Sequence, residues 1–229
     1  MIIYNKADNN IEVIQGKKLK KYICKDCNKS YFSYENNLCP DCNSSNGDIT
    51  NTLYIIADCF SYNNGKPGQM SGYATIVCND RFDLKDMYNI EYVNRKAFEG
   101  TTNNFGELMG VLDGLAYFIN EELHEVYDNV KVISDSQYVI FGADHRMYKW
   151  RAAGWRNTMG EVKNKDIWMK MMEAVETIKS MGVNLEFVHQ KGHVGKTITK
   201  DEDPIIYLQE KCDSIAVDLK NKIIEKRKG

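Results

Sequence analysis

Two aspartates stand where a folding chain would ordinarily resist them. Asp58 ends the apolar run Leu53-Tyr54-Ile55-Ile56-Ala57, and Asp135 follows Val130-Lys131-Val132-Ile133-Ser134. Such runs read as buried strands. A carboxylate at the end of one must be paired, cap the next turn or hold a metal, and open α/β sheets bind their ligands at that end. Two further acids are less informative alone. Glu107 lies one residue before the stripe Leu108, Leu112, Leu115 and Ile119, and Asn104 to Glu107 has the spacing of a capping box. Asp213 sits beside the apolar stripe of a C-terminal helix, where a solvated carboxylate is the ordinary reading. Spacing and periodicity do not by themselves assemble these four acids.

The cysteines are more explicit. Of seven, four form two pairs, Cys24-Lys25-Asp26-Cys27 and Cys39-Pro40-Asp41-Cys42, with residues 28–38 between them. Cys59, Cys78 and Cys212 are scattered singly. A lone CxxC would also fit a redox pair or a surface turn. Two such turns at this spacing can aim four thiolates at one tetrahedral zinc ion. An odd cysteine total without a secretory leader does not suit a disulfide framework.

These residues need elements to hold them. Residues 1–50 are polar and turn-rich, with apolar fragments too brief for a core, so a metal must organise them. The stretch resembles a zinc ribbon and ends in the linker-like Asn43-Ser44-Ser45-Asn46-Gly47-Asp48. From residue 51 the pattern predicts strands at 53–57, 73–77 and weakly at 88–93, then a helix over 105–123. A strand at 130–133, a helix over 167–181 and a strand at 185–189 follow. Pro204 opens a last helix carrying Leu208, Cys212, Ile215, Leu219 and Ile223 on one face. This order describes an α/β domain over 51–229 with a mixed sheet.

The chain has 229 residues, 43% of them hydrophobic and 27% charged, and a net charge of −2. Those values exclude a disordered polyelectrolyte or an acidic tail. No apolar run approaches the roughly 18–20 residues of a membrane helix, and residues 1–10 lack the core of a signal peptide. A soluble cytoplasmic protein with no membrane partner is expected. The near-neutral total hides a basic segment at 141–170. There Arg146, Lys149, Arg151, Arg156, Lys163, Lys165 and Lys170 face Asp144, Glu161 and Asp166, seven against three, leaving +4. Trp150 and Trp155 interleave with these bases. A solvated helical face with two core tryptophans has the same composition. His189 continues the alternation of Leu185 and Phe187 and reads as structural, and Met169, Met171 and Met172 read as core filling.

From residue 51 onward the chain resembles a type 1 ribonuclease H. The segments that carry the likeness are Thr102-Asn103-Asn104-Phe105-Gly106-Glu107-Leu108, Ser134-Asp135-Ser136-Gln137-Tyr138-Val139, Val162-Lys163-Asn164-Lys165-Asp166-Ile167-Trp168, Lys191-Gly192-His193 and Glu210-Lys211-Cys212-Asp213, in the family's order. The resemblance implies a five-stranded mixed sheet flanked by helices, with Asp58, Glu107, Asp135 and Asp213 converging on one edge. Two Mg²⁺ or Mn²⁺ ions held there would support cleavage of the RNA strand of an RNA/DNA hybrid, giving 5′-phosphate and 3′-hydroxyl ends. His193 matches the family's mobile-loop histidine, a catalytic assistant. Asn103, Asn104 and Gln137 match hybrid-contacting positions, and Thr102 a DNA-phosphate pocket. Lys149, Trp150, Arg151, Trp155 and Arg156 match a basic arm that grips the DNA strand.

Three departures qualify the match, one of them a longer turn at residues 61–68. Cys59 and Phe60 follow Asp58 where the family has glycine and a small polar residue, which puts strict hybrid specificity in question. Residues 196–203 lengthen the loop after His193. The zinc ribbon, with Lys17, Lys18, Lys20 and Lys21, is expected to add substrate affinity, and the chain to act as a monomer. A related nuclease for duplex RNA or structured DNA, and a non-catalytic nucleic-acid-binding module, are the alternatives. The full set of four acids argues against the last.

Overall fold

The computed structural model describes residues 20–27, 29–33, 39, 41–42, 47–50, 52–79, 90–191 and 203–228. The chain divides into two compact units, Met1–Thr50 and Asn51–Gly229. In the first, β1 (Lys20–Cys24) pairs antiparallel with both β2 (Ser30–Ser33) and β3 (Gly47–Thr50). Among its described residues Tyr22, Cys24 and Cys39 are buried, with Cys27 packed against them. So small a cluster cannot support a fold alone.

The second unit is built on five strands: β4 (Thr52–Tyr62), β5 (Met70–Asn79), β6 (Ile90–Glu99), β7 (Asn129–Ser134) and β10 (Asn184–His189), in the order β10-β7-β4-β5-β6. β10, β7 and β4 run parallel, while β4, β5 and β6 form an antiparallel meander. Helices α1 (Asn103–Asn120) and α4 (Lys165–Ser180) cover one face. Helix α5 (Pro204–Lys228) covers the other. The chain between β7 and α4 forms α2 (Gln137–Phe141), a π-helical turn (Gly142–Arg146), α3 (Met147–Ala152) and a two-residue hairpin, β8 (Arg156–Asn157) and β9 (Gly160–Glu161). The expected mixed sheet with flanking helices is therefore present.

Strand alternation sorts the core. Leu53, Ile55 and Ala57 point to the α1 side, whereas Ile56 and Phe60 point to the α5 side with Leu208, Cys212 and Ala216. Helix α1 can lie close to the sheet because of its glycines. A Cβ on Gly114 would come within 2.3 Å of the Ile55 Cγ2, and one on Gly110 within 3.0 Å of the Tyr73 Cβ. Helix propensity favours Ala over Gly by roughly 0.5–1 kcal/mol, but overpacking costs about 1–3 kcal/mol. Gly114→Ala is thus expected to lower the free energy of urea unfolding rather than raise it.

Three expectations are corrected. Asp58 does not end its strand: β4 stops pairing with β7 at Ile56 but stays paired with β5 as far as Tyr62. The third strand is not confined to 88–93 but runs from Ile90 to Glu99. Its charged half is held to α5 by Arg95–Asp218 and Arg227–Glu99. Met169 does not fill the core, being 45% exposed, although Met171 and Met172 do. Among the described residues no helix is long and apolar enough to cross a membrane.

Candidate active site and cysteine cluster

The fork in β4 explains why an aspartate is tolerated at position 58. Beyond Ile56 the parallel neighbour is gone, so the side chain on the α5 face meets a cleft instead of a packed strand. That cleft is lined by Asp58, Asp135, Asp213, Glu210, Gln209 and Lys191, with Cys59 and Ile206. A second cleft shares Asp135 and Lys191 and adds Glu107, Asn104, Ser136 and Gln137. Four elements thus deliver the four predicted acids: β4, the first turn of α1, the end of β7, and α5.

Electrostatics give this convergence its meaning. Burial pushes the Asp58 carboxyl up to about 8, and the charges of Asp135, Asp213 and Glu107 add to the effect. The Cys59 backbone N–H, donating to Asp58 Oδ1 at 2.7 Å, pulls only partly the other way. Glu107 is also raised, by burial first and by Asp135. It does not cap its own helix; α1 is capped by Thr102 without a side-chain bond. Instead the Asn103 amide donates to Glu107 Oε1 at 2.6 Å, and the Ser136 hydroxyl donates to Oε2. Ser136 meanwhile accepts from the Val139 N–H as the N-cap of α2. A helix cap and one of the cleft acids therefore share one hydroxyl.

The remaining predicted residues divide. Thr102, Asn104 and Gln137 are exposed beside the acids. Asn103 is occupied at both ends, since its Oδ1 accepts from the Cys59 thiol at 3.2 Å while its Nδ2 holds Glu107. Lys149, Trp150, Arg151, Trp155 and Arg156 stand on α3 and the hairpin region and line neither cleft. Lys149 and Arg156 are exposed; Arg151 pairs with Glu176 at 2.6 Å. Trp150 meets the edge of Trp168 at 5.2 Å, so much of its surface belongs to the core. Trp155 takes a left-handed backbone (φ 60°) after Gly154, which holds the arm in a tight bend. His193, Lys17 and Lys18 lie outside the described residues.

Sequence reasoning did not single out Ser136, Lys191 or Gln209 as parts of the site. Ser136 and Lys191 lie within the segments that carry the family likeness; Gln209 has no signal of its own. His189 holds the strand end, its Nε2 donating to the Asp135 carbonyl at 3.0 Å, and it also lines the second cleft.

In the small unit the Sγ atoms of Cys24, Cys27, Cys39 and Cys42 all lie within 4.8 Å of one another. Among the described residues no other set of three or more His, Cys, Asp or Glu ligands gathers so tightly. Burial raises the Cys24 thiol, but backbone N–H groups of Cys27 and Asp26 and the Cys42 thiol outweigh it, bringing the group to about 7. A Lys29–Asp41 pair at 3.1 Å ties one CxxC turn to the other.

Comparison with known proteins agrees with this architecture. The family model for RNase H matches residues 50–219. Ribonuclease H of Pseudomonas fluorescens is 33% identical over 132 residues, covering 57% of this chain and 75% of the relative. Ribonuclease H of Treponema denticola is 29% identical over 181 residues, covering 75% and 99%. Among solved structures, LC9-RNase H1, described as a type 1 RNase H with the type 2 active-site motif, shares the fold. It superposes with a TM-score of 0.50 and 22% identity, over 74% of this chain and 72% of that one. A family match over most of the chain, carried on the same sheet, means that this protein belongs to the type 1 ribonuclease H family.

Proposed function

We propose that the chain is a metal-dependent endonuclease that hydrolyses the RNA strand of RNA/DNA hybrids, leaving 5′-phosphate and 3′-hydroxyl ends. The observation that carries this reading is the gathering of Asp58, Glu107, Asp135 and Asp213 along two clefts that share Asp135, with Asp58 pushed up to about 8 by burial and its acidic neighbours. A set of oxygen donors that repel one another fits hard divalent cations. Asp58, Glu107, Asp135 and Asp213 would hold Mg²⁺ or Mn²⁺, two ions in all, and when bound these supply charge stabilisation to the phosphodiester and a more acidic water.

The chain's own residues do the rest. Ser136 and Asn103 fix the Glu107 carboxylate through one hydrogen bond to each oxygen. Asn104 and Gln137, exposed beside it, can donate to and accept from 2′-hydroxyls across a wide minor groove. The arm bearing Lys149, Arg151 and Arg156 would track DNA phosphates, with the free edges of Trp150 and Trp155 meeting sugars. His193 would move a proton at the leaving group, and Thr102 would contribute to the phosphate pocket. The four cysteines would hold one structural Zn²⁺, making residues 1–50 a zinc ribbon and 51–229 the catalytic domain.

The test is a panel of end-labelled RNA/DNA hybrid, duplex RNA and duplex DNA, each incubated with wild-type protein and Asp135→Asn in Mg²⁺ or Mn²⁺. Wild type is expected to cut the RNA of the hybrid internally and leave both duplexes intact, while Asp135→Asn is inert. Cutting of duplex RNA or DNA in preference to hybrid would transfer the activity to the alternative substrate class.

A further inference from the structure

Gln209 is 3% exposed and lines the cleft that holds Asp58, Asp135 and Asp213. Its Nε2 donates to the Gln190 carbonyl at 3.4 Å, and its Oε1 is buried with no hydrogen-bond partner among the described residues. An orphaned acceptor is a cost that packing alone gives no reason to keep. The identity of its partner suggests why it is kept. The Gln190 N–H donates to the Ser134 carbonyl at 3.1 Å, so Gln190 is clamped on both sides of its backbone. One clamp leads to Ser134, the residue before Asp135. The other leads to Gln209, one helical turn before Asp213 and on the same face of α5. Ser134, Gln190 and Gln209 thus form a hydrogen-bonded strap from the strand that delivers one carboxylate to the helix that delivers another.

We propose that Gln209 is a positioning residue for the divalent-cation site, holding Asp213 at a fixed separation from Asp135 through the Gln190 backbone. The proposal rests on the reading of this edge as a cation site. Ile133 at the end of β7 shares a buried cluster with Leu208 and Cys212 of α5, and the strap adds a polar link beside that packing. His189 pins the same strand end to the Asp135 carbonyl, so loss of Gln209 is felt at the α5 end of the strap, where Asp213 stands. Outer groups that orient metal ligands commonly govern metal affinity by about 10-fold or more.

Gln209→Met keeps the volume and removes both the donor and the orphaned acceptor; Gln209→Leu is the second variant should the first fail to fold. Melting temperature is measured by circular dichroism in chelator and across a Mg²⁺ titration, with no substrate present. The metal-free melting temperature of the variant is expected to equal or exceed that of wild type, because the buried orphan is gone. Its Mg²⁺-induced rise is expected to need about 10-fold more metal. A merely structural hydrogen bond would instead lower both melting curves equally and leave the Mg²⁺ midpoint unmoved, and that result overturns the proposal. An unstabilised wild type would sink the cation-site reading along with it, whereas a wild-type response matched by the variant sinks the strap alone.

Discussion

Asp58→Asn is expected to abolish hybrid cleavage, by about 10³-fold or more, while making the metal-free protein more stable at pH 8. The two effects share one cause. In the folded chain Asp58 is held near 8 by burial and by Asp135, Asp213 and Glu107, against 3.8 for the free side chain. A carboxyl raised on folding contributes stability that is complete below about pH 4 and is lost as pH climbs through about 8. Each tenfold change in proton affinity is worth about 1.4 kcal/mol, so the loss is on the order of a few kcal/mol across that window. Melting of chelated wild type should therefore fall from pH 5 to pH 8, and melting of Asp58→Asn should stay nearly flat. Added Mg²⁺ should restore wild type at pH 8 and do less at pH 5, where a proton already neutralises Asp58. The same substitution removes a candidate metal ligand, and a 10³-fold loss corresponds to about 4 kcal/mol of transition-state stabilisation. A chelated wild type whose melting does not depend on pH over this range would refute the electrostatic reading.

This coupling of strain to chemistry also marks where the sequence could be read and where it could not. Strands 53–57 and 130–133 announce themselves because their apolar runs are buried on both sheet faces, and the edge strand 185–189 because Leu185, Phe187 and Val188 keep a half-buried apolar pattern. β6 was seen only in part, because an edge strand carries Asn94, Arg95, Lys96 and Glu99, and those charges break the alternation. Their partners, Asp113 for Asn94 and Asp218 for Arg95, are distant in sequence. Asp58 looked like a strand end because the pairing that carries β4 onward belongs to β5, and a single strand's composition does not report on its neighbours. The four acids came from family likeness and not from spacing. Once folded, their grouping is physical: strand parity sends Asp58 to the α5 face, and α5 brings Asp213 to meet it. Glu107 shows the limit most sharply. Its capping-box spacing was real as a pattern, yet its hydrogen bonds go to Asn103 and to Ser136, the latter 29 residues away. Gln209 is plainer still, since a glutamine in a helix gains its meaning only from the carbonyl it touches.

The largest expected effect on structure lies in the small unit. Replacing Cys24 and Cys42 together by serine in the full-length chain is expected to eliminate bound zinc, about one ion per chain in wild type by metal analysis, and to unfold β1–β3. The reasoning is one of scale. Among its described residues only Tyr22, Cys24 and Cys39 form the buried cluster, whereas structural zinc contributes apparent binding energies of about 10–16 kcal/mol in comparable fingers. Four sulfurs within 4.8 Å, with Cys24 already drawn down to about 7 by backbone N–H groups and the Cys42 thiol, are compatible with a tetrahedral zinc site, whose binding would then be coupled to folding. The second unit, with its own sheet and two packed faces, has no need of that ion. Limited proteolysis should therefore cut the variant within residues 1–50 and leave the 51–229 unit intact. Hybrid binding by the variant should weaken more at low salt than at high salt if, as proposed, the lysines near residue 20 contribute to phosphate binding through counterion release. Unchanged protection of the first 50 residues in the zinc-free variant would show that something other than the metal holds them.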